Sequence, residues 1–176
     1  MDIQLIYGSD TGNTENFIDT VLLNELEANG FKVKPIPVDG VTSDTWKDNS
    51  NFSLGIPTWY DGELQSSWED YFGMFQEIDF TDKTVAIFGL GDQLGYEEWF
   101  CDGIGILAEV VLKNGGKVIG YTKNDDSYEL DETPKSLVDE NTFYGLCIDE
   151  DNQDELTEER TEKWVSQIKK EFNVSE

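Results

Sequence analysis

The stretch Gly8-Ser9-Asp10-Thr11-Gly12-Asn13-Thr14 separates a short apolar run, Ile3-Gln4-Leu5-Ile6-Tyr7, from a segment of helical periodicity. This arrangement predicts a strand-to-helix turn, where the first backbone N–H groups of the helix lack helical acceptors and lie at the positive end of its dipole. Hydroxyl and amide side chains within the turn add further donors. The turn is therefore predicted to hold a phosphate group. The alternative is a polar helix N-cap that binds nothing.

The residues of this turn exclude two common phosphate loops. No Gly-Lys-Ser/Thr follows, as a Walker loop requires, and only Gly12 lies inside the turn, which excludes the Gly-x-Gly-x-x-Gly turn of dinucleotide-binding proteins. No lysine or arginine occurs between residues 8 and 14. A turn without cations suits one terminal phosphate monoester better than a pyrophosphate or a triphosphate.

Composition limits the class of protein. The chain has 176 residues, 38% of them hydrophobic, which suffices for one domain, residues 1–176, with a buried core. Asp and Glu number 38 against 12 Lys and Arg, so the formal charge is −26. Such a charge predicts repulsion from nucleic acids and anionic membranes and attraction to basic partners. General acidity of the proteins of a salt-adapted host is the alternative explanation.

Residue types and segments that the sequence lacks narrow the predicted chemistry and location of the protein further. The sequence contains no histidine, which excludes imidazole bases, Ser-His triads and His-ligated metal sites. We find no signal-like N-terminus and no apolar run of roughly 20 residues, and we expect a cytoplasmic protein. Cys101 and Cys147 lie in apolar surroundings and are expected to be reduced packing residues rather than a disulfide.

Predicted strands and helices alternate along the chain. Hydrophobic residues at helical spacing predict helices over 14–29, around 67–75, from Trp99 to Leu112, and from an N-cap at Thr157 onward. Apolar or alternating runs predict strands over 3–7, 31–38, 51–57, 85–88 and 118–121, with 143–148 as the continuation of the last.

This alternation predicts an α/β fold with a doubly wound, five-stranded parallel sheet. Two prolines in the second strand place it at an edge, which fits the order 2-1-3-4-5. About 20 polar residues, 122–142, interrupt strand five; they are interpreted either as an insertion with some strand of its own or as a partner surface. In such a sheet a ligand binds beyond the carboxyl ends of the strands, between strands one and three.

Three loops fall at those carboxyl ends, namely residues 8–14, 58–63 and 89–96. The second and third loops each present one large aromatic side chain, Trp59 and Tyr96. Either ring alone would be interpreted as packing, but two rings in facing loops form a slot for a flat ring system. A phosphate joined to a planar heterocycle is a nucleotide, which is the ligand that the residues predict.

Four motifs, in order and nearly spanning the chain, resemble those of flavodoxin. They are Ser-Asp-Thr-Gly-Asn-Thr at 9–14, Pro-Thr-Trp-Tyr-Asp-Gly-Glu-Leu-Gln at 57–65, Gly-Leu-Gly-Asp-Gln-Leu-Gly-Tyr at 89–96 and Gly-Leu-Cys-Ile-Asp-Glu-Asp-Asn-Gln at 145–153. The interrupted fifth strand resembles the long-chain branch of that family. The resemblance implies a flavodoxin-like fold and non-covalently bound FMN.

The resemblance also implies which residues contact FMN. Residues 9–14 would bind the phosphate, and the isoalloxazine ring would lie between Trp59 and Tyr96. Asp92 and the backbone N–H of Cys101 are implied at the pyrimidine edge, and the carbonyl of Tyr60 is implied as the acceptor of the N5 proton in the semiquinone. The full implied set is Ser9, Asp10, Thr11, Gly12, Asn13, Thr14, Pro57, Thr58, Trp59, Tyr60, Asp61, Gly62, Gly91, Asp92, Tyr96 and Cys101.

Four positions near this set have open roles. Asp61 stands where relatives often have glycine or an apolar residue, and Trp99 stands where some have a polar residue. Asp149 and Asp151 reach the ribityl chain in one interpretation. In the favoured interpretation they belong to a solvated acidic loop.

The function implied is that of a low-potential one-electron carrier rather than an enzyme, cycling FMN between semiquinone and hydroquinone. Its acidic surface would dock basic redox proteins such as a ferredoxin/flavodoxin-NADP reductase, and we expect it to act as a monomer. One alternative is an FMN enzyme such as a quinone reductase, which would need a cationic site for a nicotinamide phosphate. Another is a phospho-acceptor domain, which would need an Asp where strand three ends in Pro57-Thr58.

Overall fold

The computed structural model describes residues 1–173. Ten strands and six α-helices alternate along these residues. The strands are β1 (Asp2–Tyr7), β2 (Lys32–Pro37), β3 (Asn51–Trp59), β4 (Glu63–Leu64), β5 (Thr84–Leu90), β6 (Lys117–Ile119), β7 (Thr122–Lys123), β8 (Leu137–Asp139), β9 (Thr142–Phe143) and β10 (Leu146–Ile148). The helices are α1 (Asn13–Phe17), α2 (Leu23–Ala28), α3 (Ser43–Lys47), α4 (Ser66–Phe75), α5 (Asp102–Lys113) and α6 (Thr157–Glu171), and a π-helical segment, Ile18–Leu22, joins α1 to α2.

The central sheet has the predicted order. Reading across it, β2, β1, β3 and β5 are neighbours in parallel, and both β6 and β10 pair in parallel with the far side of β5. The two prolines of β2 lie opposite Leu5 and Tyr7 on a strand with one free side, where a missing N–H costs no ladder bond. The predicted doubly wound parallel sheet of order 2-1-3-4-5 is confirmed.

The fifth strand consists of two short segments. In β6, Ile119 lies opposite Ala86, and in β10, Leu146 lies opposite Phe88, so the segments follow one another along β5. Between them β7, β9 and β8 form a separate antiparallel sheet. The intervening residues therefore have strand structure of their own, which the sequence left open. That they are an insertion stays a prediction.

Alternating side chains of β5 form two cores, one on each face of the sheet. Val85 and Ile87 pack on the side of α3, α4 and α5, and Phe88 packs on the side of α1, α2 and α6. All three side chains are fully buried. Burial on both faces explains why this strand reads as a continuous apolar run rather than an alternating one.

Three predicted boundaries are wrong. Helix α5 begins at Asp102 and not at Trp99, because Cys101 has a left-handed backbone (φ 55°) that cannot continue an α-helix from the preceding 3-10 turn. Phe143 belongs to β9 rather than to strand five, because it pairs with Thr122 of β7 and Leu137 of β8 and not with β5. Thr157 is the first helical residue of α6 and not its N-cap, because a 3-10 turn, Asp154–Leu156, leads directly into the helix.

Helix α3 was not predicted from the sequence, because five residues are too few to show a periodic pattern. It nevertheless buries Trp46 against Phe52, with ring centroids 4.8 Å apart. None of the helices in residues 1–173 combines the length and the apolar character needed to cross a bilayer.

Candidate functional site

A cavity of about 300 Å³ opens where β1, β3 and β5 end. This volume lies at the lower end of the range of roughly 300–1,000 Å³ that is usual for small-molecule sites. The cavity is lined by Ser9, Asp10, Thr11, Asn13, Thr14, Pro57, Thr58, Trp59, Tyr60, Leu90, Gly91, Asp92, Tyr96, Trp99, Phe100, Glu150 and Asp151.

The structure brings most of the predicted site residues together around this cavity. Gly12, Asp61, Gly62 and Cys101 are not on its lining. Sequence reasoning did not select Leu90, Phe100 or Glu150, which do line it. The available signal was their position, since Leu90 lies within the third predicted loop, Phe100 lies four residues after it, and Glu150 lies between Asp149 and Asp151.

The first loop is closed on itself before the helix begins. The hydroxyl of Ser9 accepts a hydrogen bond from the N–H of Gly12 at 3.1 Å, and Gly12 has a left-handed backbone with φ 87°. Asn16 is the first residue to donate a helical bond, to the carbonyl of Gly12 at 2.8 Å. The N–H groups of the helical residues before Asn16 therefore have no helical acceptor and are available to an anion.

Two residues of the cavity lining each carry a buried polar atom without a hydrogen-bond partner. Oγ1 of Thr14 and Nε1 of Trp59 are buried, and neither makes a hydrogen bond to any residue in 1–173. A buried polar group without a partner costs roughly 1–3 kcal/mol. These residues would therefore gain stability from a ligand that supplies hydrogen-bond acceptors in the cavity.

The carboxylate of Asp10 is used within the protein. It accepts hydrogen bonds from Nε2 of Gln65 and Oγ of Ser66, both at 2.6 Å, at the start of α4. Burial raises the pKa of Asp10, but these hydrogen bonds outweigh the effect and the pKa lies below its usual value. Asp10 thus joins the first loop to α4 as a carboxylate.

A tight hairpin between β3 and β4 presents the first aromatic residue. Trp59 pairs with Glu63, so only three residues form the turn. Tyr60 has a left-handed φ of 41° and is 61% exposed, and Gly62 has φ 80°. A Cβ on Gly62 would lie 2.7 Å from Oδ2 of Asp102. Glycine is required here both by the backbone conformation and by the contact.

The third loop is held in shape by its own carboxylate. Oδ1 of Asp92 accepts from the N–H of Leu94 at 3.0 Å, from the N–H of Gly95 at 2.7 Å and from Nδ2 of Asn152 at 2.8 Å. Burial raises the pKa of Asp92, but these hydrogen bonds lower it further than burial raises it. Asp92 therefore fixes the loop that carries Tyr96, which is 43% exposed.

Asp149 is fully buried, so the favoured interpretation of a solvated acidic loop is wrong for this residue. Its Oδ2 accepts from the N–H of Gln93 at 3.1 Å and from Nε2 of Gln93 at 2.9 Å. Its Oδ1 accepts from the N–H of Asn152 at 3.1 Å. The burial of this carboxylate was not predicted because only the folded chain brings the third loop against the end of β10.

The neighbouring acidic residues face the cavity with raised pKa values. For Glu150, burial raises the pKa, and the charges of Asp154 and Asp151 add to the effect. For Asp151, burial also raises the pKa, and Asp92 and Asp149 contribute. No Lys or Arg among residues 1–173 lines the cavity. The cavity therefore combines backbone donors at one end with negative charge at its rim.

Asp102 lies beneath the hairpin and is 1% exposed. Its Oδ1 accepts from the N–H of Lys135 at 2.6 Å, which ties the hairpin region to the segment before β8. Burial raises the pKa of Asp102, while the hydrogen bond and charge of Lys135 offset part of the rise.

This raised pKa predicts a pH-dependent effect of Asp102→Asn. The folded protein keeps the carboxyl protonated to higher pH than the unfolded chain does, so ionisation costs stability as the pH rises from 3.8 through the folded pKa. The variant lacks this cost. Its free energy of unfolding relative to the parent protein should therefore be more favourable at about pH 7 than at about pH 4, as measured by urea denaturation.

The control for this prediction is Asp79→Asn. Hydrogen bonds from Thr81 lower the pKa of Asp79, so its variant should show the opposite dependence on pH. If Asp102→Asn changed the free energy of unfolding by the same amount at both pH values, the raised pKa of Asp102 would be contradicted.

The chain is similar over almost its whole length to proteins of one family. A family model described as "Flavodoxin" matches residues 5–164. The flavodoxin of Haemophilus influenzae is 44% identical over 174 residues, which cover 99% of this chain and 97% of that protein. Flavodoxin 1 of Escherichia coli K12 is 42% identical over 172 residues, covering 98% and 95%. The crystal structure of Fusobacterium nucleatum flavodoxin bound to flavin mononucleotide has a TM-score of 0.85 and 36% identity, covering 97% of this chain and 98% of that chain.

Proposed function

The chain belongs to the flavodoxin family, whose members are electron-transfer proteins rather than enzymes, and from this premise we propose that it carries electrons on non-covalently bound FMN. The observation that supports the cofactor most directly is the cavity with its two unpartnered donors, Thr14 Oγ1 and Trp59 Nε1. FMN combines phosphate, hydroxyl and carbonyl acceptors with a flat ring, and this combination fits the lining residues.

In this proposal the first loop binds the phosphate. The free N–H groups at the start of α1 and the hydroxyl of Thr14 would donate to its oxygens, with Ser9, Thr11 and Asn13 around them. Asp10 acts through its backbone and by holding the loop to α4. Since no Lys or Arg of residues 1–173 is on the lining, backbone and hydroxyl dipoles carry this recognition.

The second and third loops hold the ring between Trp59 and Tyr96. Pro57, Thr58, Gly91 and Asp92 complete these walls, together with the N–H of Cys101 at the pyrimidine edge. A Cβ on Gly91 would lie 3.0 Å from that nitrogen, so the two loops are in close contact there. Gly12, Asp61 and Gly62 act through the turns they form, and the carbonyl of Tyr60 serves as an acceptor near N5.

When bound, FMN supplies two separable one-electron reductions, and we propose that the protein cycles it between semiquinone and hydroquinone at low potential. The carboxylates of Asp92, Glu150 and Asp151 lie at the cavity, where no cation balances them within residues 1–173. Their charge opposes the addition of a further negative charge in the cavity. The Tyr60 carbonyl favours a protonated N5 because it can only accept a hydrogen bond.

The test is reconstitution followed by stepwise reduction. The purified chain should bind FMN stoichiometrically, and photometric titration with dithionite should show a neutral one-electron-reduced form before full reduction. A protein that fails to bind added FMN at micromolar concentration would contradict the cofactor. A titration without a one-electron form would contradict only the proposed separation of the two steps.

The acidic surface is proposed to dock basic redox partners, such as a ferredoxin/flavodoxin-NADP reductase. With a formal charge of −26, association should be steered electrostatically. We expect the second-order rate constant of electron transfer with such a reductase to fall about tenfold or more between roughly 0.05 and 0.5 M NaCl. Stopped-flow measurements would show this, and a rate that does not respond to salt would contradict docking by charge.

Other parts of the proposal rest on the sequence alone. Residues 1–176 act as a single domain and as a monomer of the cytoplasm, and the segment between β6 and β10 marks the long-chain branch of the family. Size-exclusion chromatography with light scattering tests the monomeric state.

A further inference from the structure

A second cavity, of about 620 Å³, lies between α6 and residues 121–128. Among the described residues it shares no lining residue with the first cavity. Its volume is well within the range of small-molecule sites. The lining consists of Tyr121, Thr122, Lys123, Asp125, Ser127, Tyr128, Leu146, Leu156, Glu159, Arg160, Lys163, Trp164 and Gln167.

The charge of this cavity is opposite in sign to that of the protein. Three cationic side chains line it, Lys123, Arg160 and Lys163, against the two carboxylates of Asp125 and Glu159. The chain as a whole carries a formal charge of −26. A concave surface with excess positive charge on so acidic a protein favours an anionic ligand.

Both carboxylates already have partners. Glu159 forms an ion pair with Lys163 one turn along α6. Asp125 accepts from the N–H of Ser127 at 2.9 Å and from its hydroxyl. Neither acid forms an ion pair with Arg160 or Lys123 within residues 1–173. The charge of Arg160 acts on both carboxylates from a longer distance and helps to lower their pKa values.

Arg160 is held in place through Nη2, and its Nη1 has no hydrogen-bond partner within residues 1–173. Its Nη2 donates to Oγ of Ser127 at 3.0 Å and to Oε1 of Gln153 at 2.7 Å, and its guanidinium carbon lies 4.0 Å from the ring centroid of Tyr128. Its Nη1 is buried and has no acceptor in residues 1–173. A fixed guanidinium with an unpaired N–H is suited to a planar carboxylate, because the ordering of the side chain has already occurred.

The remaining wall is apolar and aromatic. Tyr121, Leu146, Leu156 and Trp164 contribute to it beside Tyr128. Nε1 of Trp164 donates to the carbonyl of Gly120 at 2.9 Å, which fixes the indole. Rigid rings beside a cationic group suit a ligand with a flat apolar body and an anionic end.

We propose that this second cavity binds a small organic anion, a carboxylate on a flat apolar ring, with the carboxylate at Arg160 and Lys123 and the ring against Tyr121 and Leu156, both partly exposed, above the buried Trp164. The proposal does not depend on FMN, since the two cavities are built from different residues.

The test uses 1-naphthoate as the probe and its neutral analogue 1-naphthamide as the chemical control. Each is titrated into the full chain, as purified, and followed by ¹⁵N–¹H NMR. Naphthoate should give saturable shifts of the Trp164 indole N–H and of residues 121–128. Naphthamide should bind roughly tenfold more weakly, because it lacks the charge-assisted hydrogen bond. Shifts centred on the Trp59 indole would instead indicate binding in the first cavity and would overturn the proposal.

The position of the bound carboxylate is tested by substituting the cationic residues and measuring naphthoate affinity. Arg160→Met and Lys123→Met should each weaken naphthoate binding about tenfold, while Lys170→Met, an equal change of charge on the exposed side of α6, should leave it unchanged. Lys123 is exposed, so its variant remains informative if Arg160→Met does not fold. Equal binding of naphthoate and naphthamide, absence of saturation, or affinity unaffected by both cavity variants would each overturn the proposal.

Discussion

Replacement of Asp149 by leucine is expected to destabilise the protein by about 3–5 kcal/mol, the largest effect of any substitution considered. The carboxylate is fully buried and accepts from both the backbone and the side chain of Gln93 and from the backbone and side chain of Asn152. Leucine has a similar volume but accepts no hydrogen bond. Several buried donors would then lose their partner at once.

The measurement is urea denaturation of the protein without added FMN, so that cofactor binding does not contribute to stability. Asp151→Leu is the matched control, because it removes a carboxylate from the same loop at an exposed position and should change stability by about 0.5 kcal/mol or less. Equal effects of the two substitutions would contradict the structural role of Asp149.

Asp149→Leu should also weaken FMN binding. Gln93 links Asp149 to the third loop and, through Oε1, accepts from the N–H of Glu129 at 2.8 Å. Loss of this connection would release the loop that carries Asp92 and Tyr96. Tighter FMN binding by the variant would contradict this part of the prediction.

Replacement of Thr14 by valine is expected to have opposite effects on FMN affinity and on the stability of the free protein. In the proposed complex the Thr14 hydroxyl donates to a phosphate oxygen, and loss of such a charge-assisted bond costs about 1.5–3 kcal/mol, or roughly 10- to 150-fold in Kd. In the free protein the same hydroxyl is buried without a partner in residues 1–173. Valine removes that unpaired group and should raise the free energy of unfolding by about 1 kcal/mol.

Fluorescence titration of FMN and urea denaturation measure the two effects. Thr14→Ser retains the hydroxyl and should keep FMN affinity within a few-fold of the original value. If Thr14→Val bound FMN as tightly as the original protein, the phosphate would not be at this hydroxyl. If the variant lost both affinity and stability, a packing defect would explain the result instead.

Local sequence patterns were sufficient for most of the fold. The apolar run at residues 85–88 predicted a strand buried on both faces, and the prolines at 35 and 37 predicted an edge strand, because each pattern follows from the environment of one strand. The breaks before α5 and α6 were not predictable in this way. They depend on a left-handed Cys101 and on a 3-10 turn, neither of which alters the spacing of apolar residues.

In the candidate site, too, some features follow from local sequence and others only from the folded structure. Its three loops were predicted from their positions at strand ends, and the structure brings residues of each loop to one cavity. The contributions of Phe100 and Glu150, and the internal roles of the Asp10 and Asp92 carboxylates, required knowledge of which loops touch.

The sequence by itself determined the order of the strands in the central sheet and of the longer helices, the position of the loops that form the cavity, and the acidic character of the protein. These properties depend on periodicity, turn residues and charge, which are local or additive along the chain. Only the tertiary structure decided that Asp149 is buried and that Arg160 lies in a second cavity beside Tyr128. The fate of a charged side chain is set by partners distant in the sequence, since a carboxylate or guanidinium enters the interior only where folding brings hydrogen-bonding groups to it.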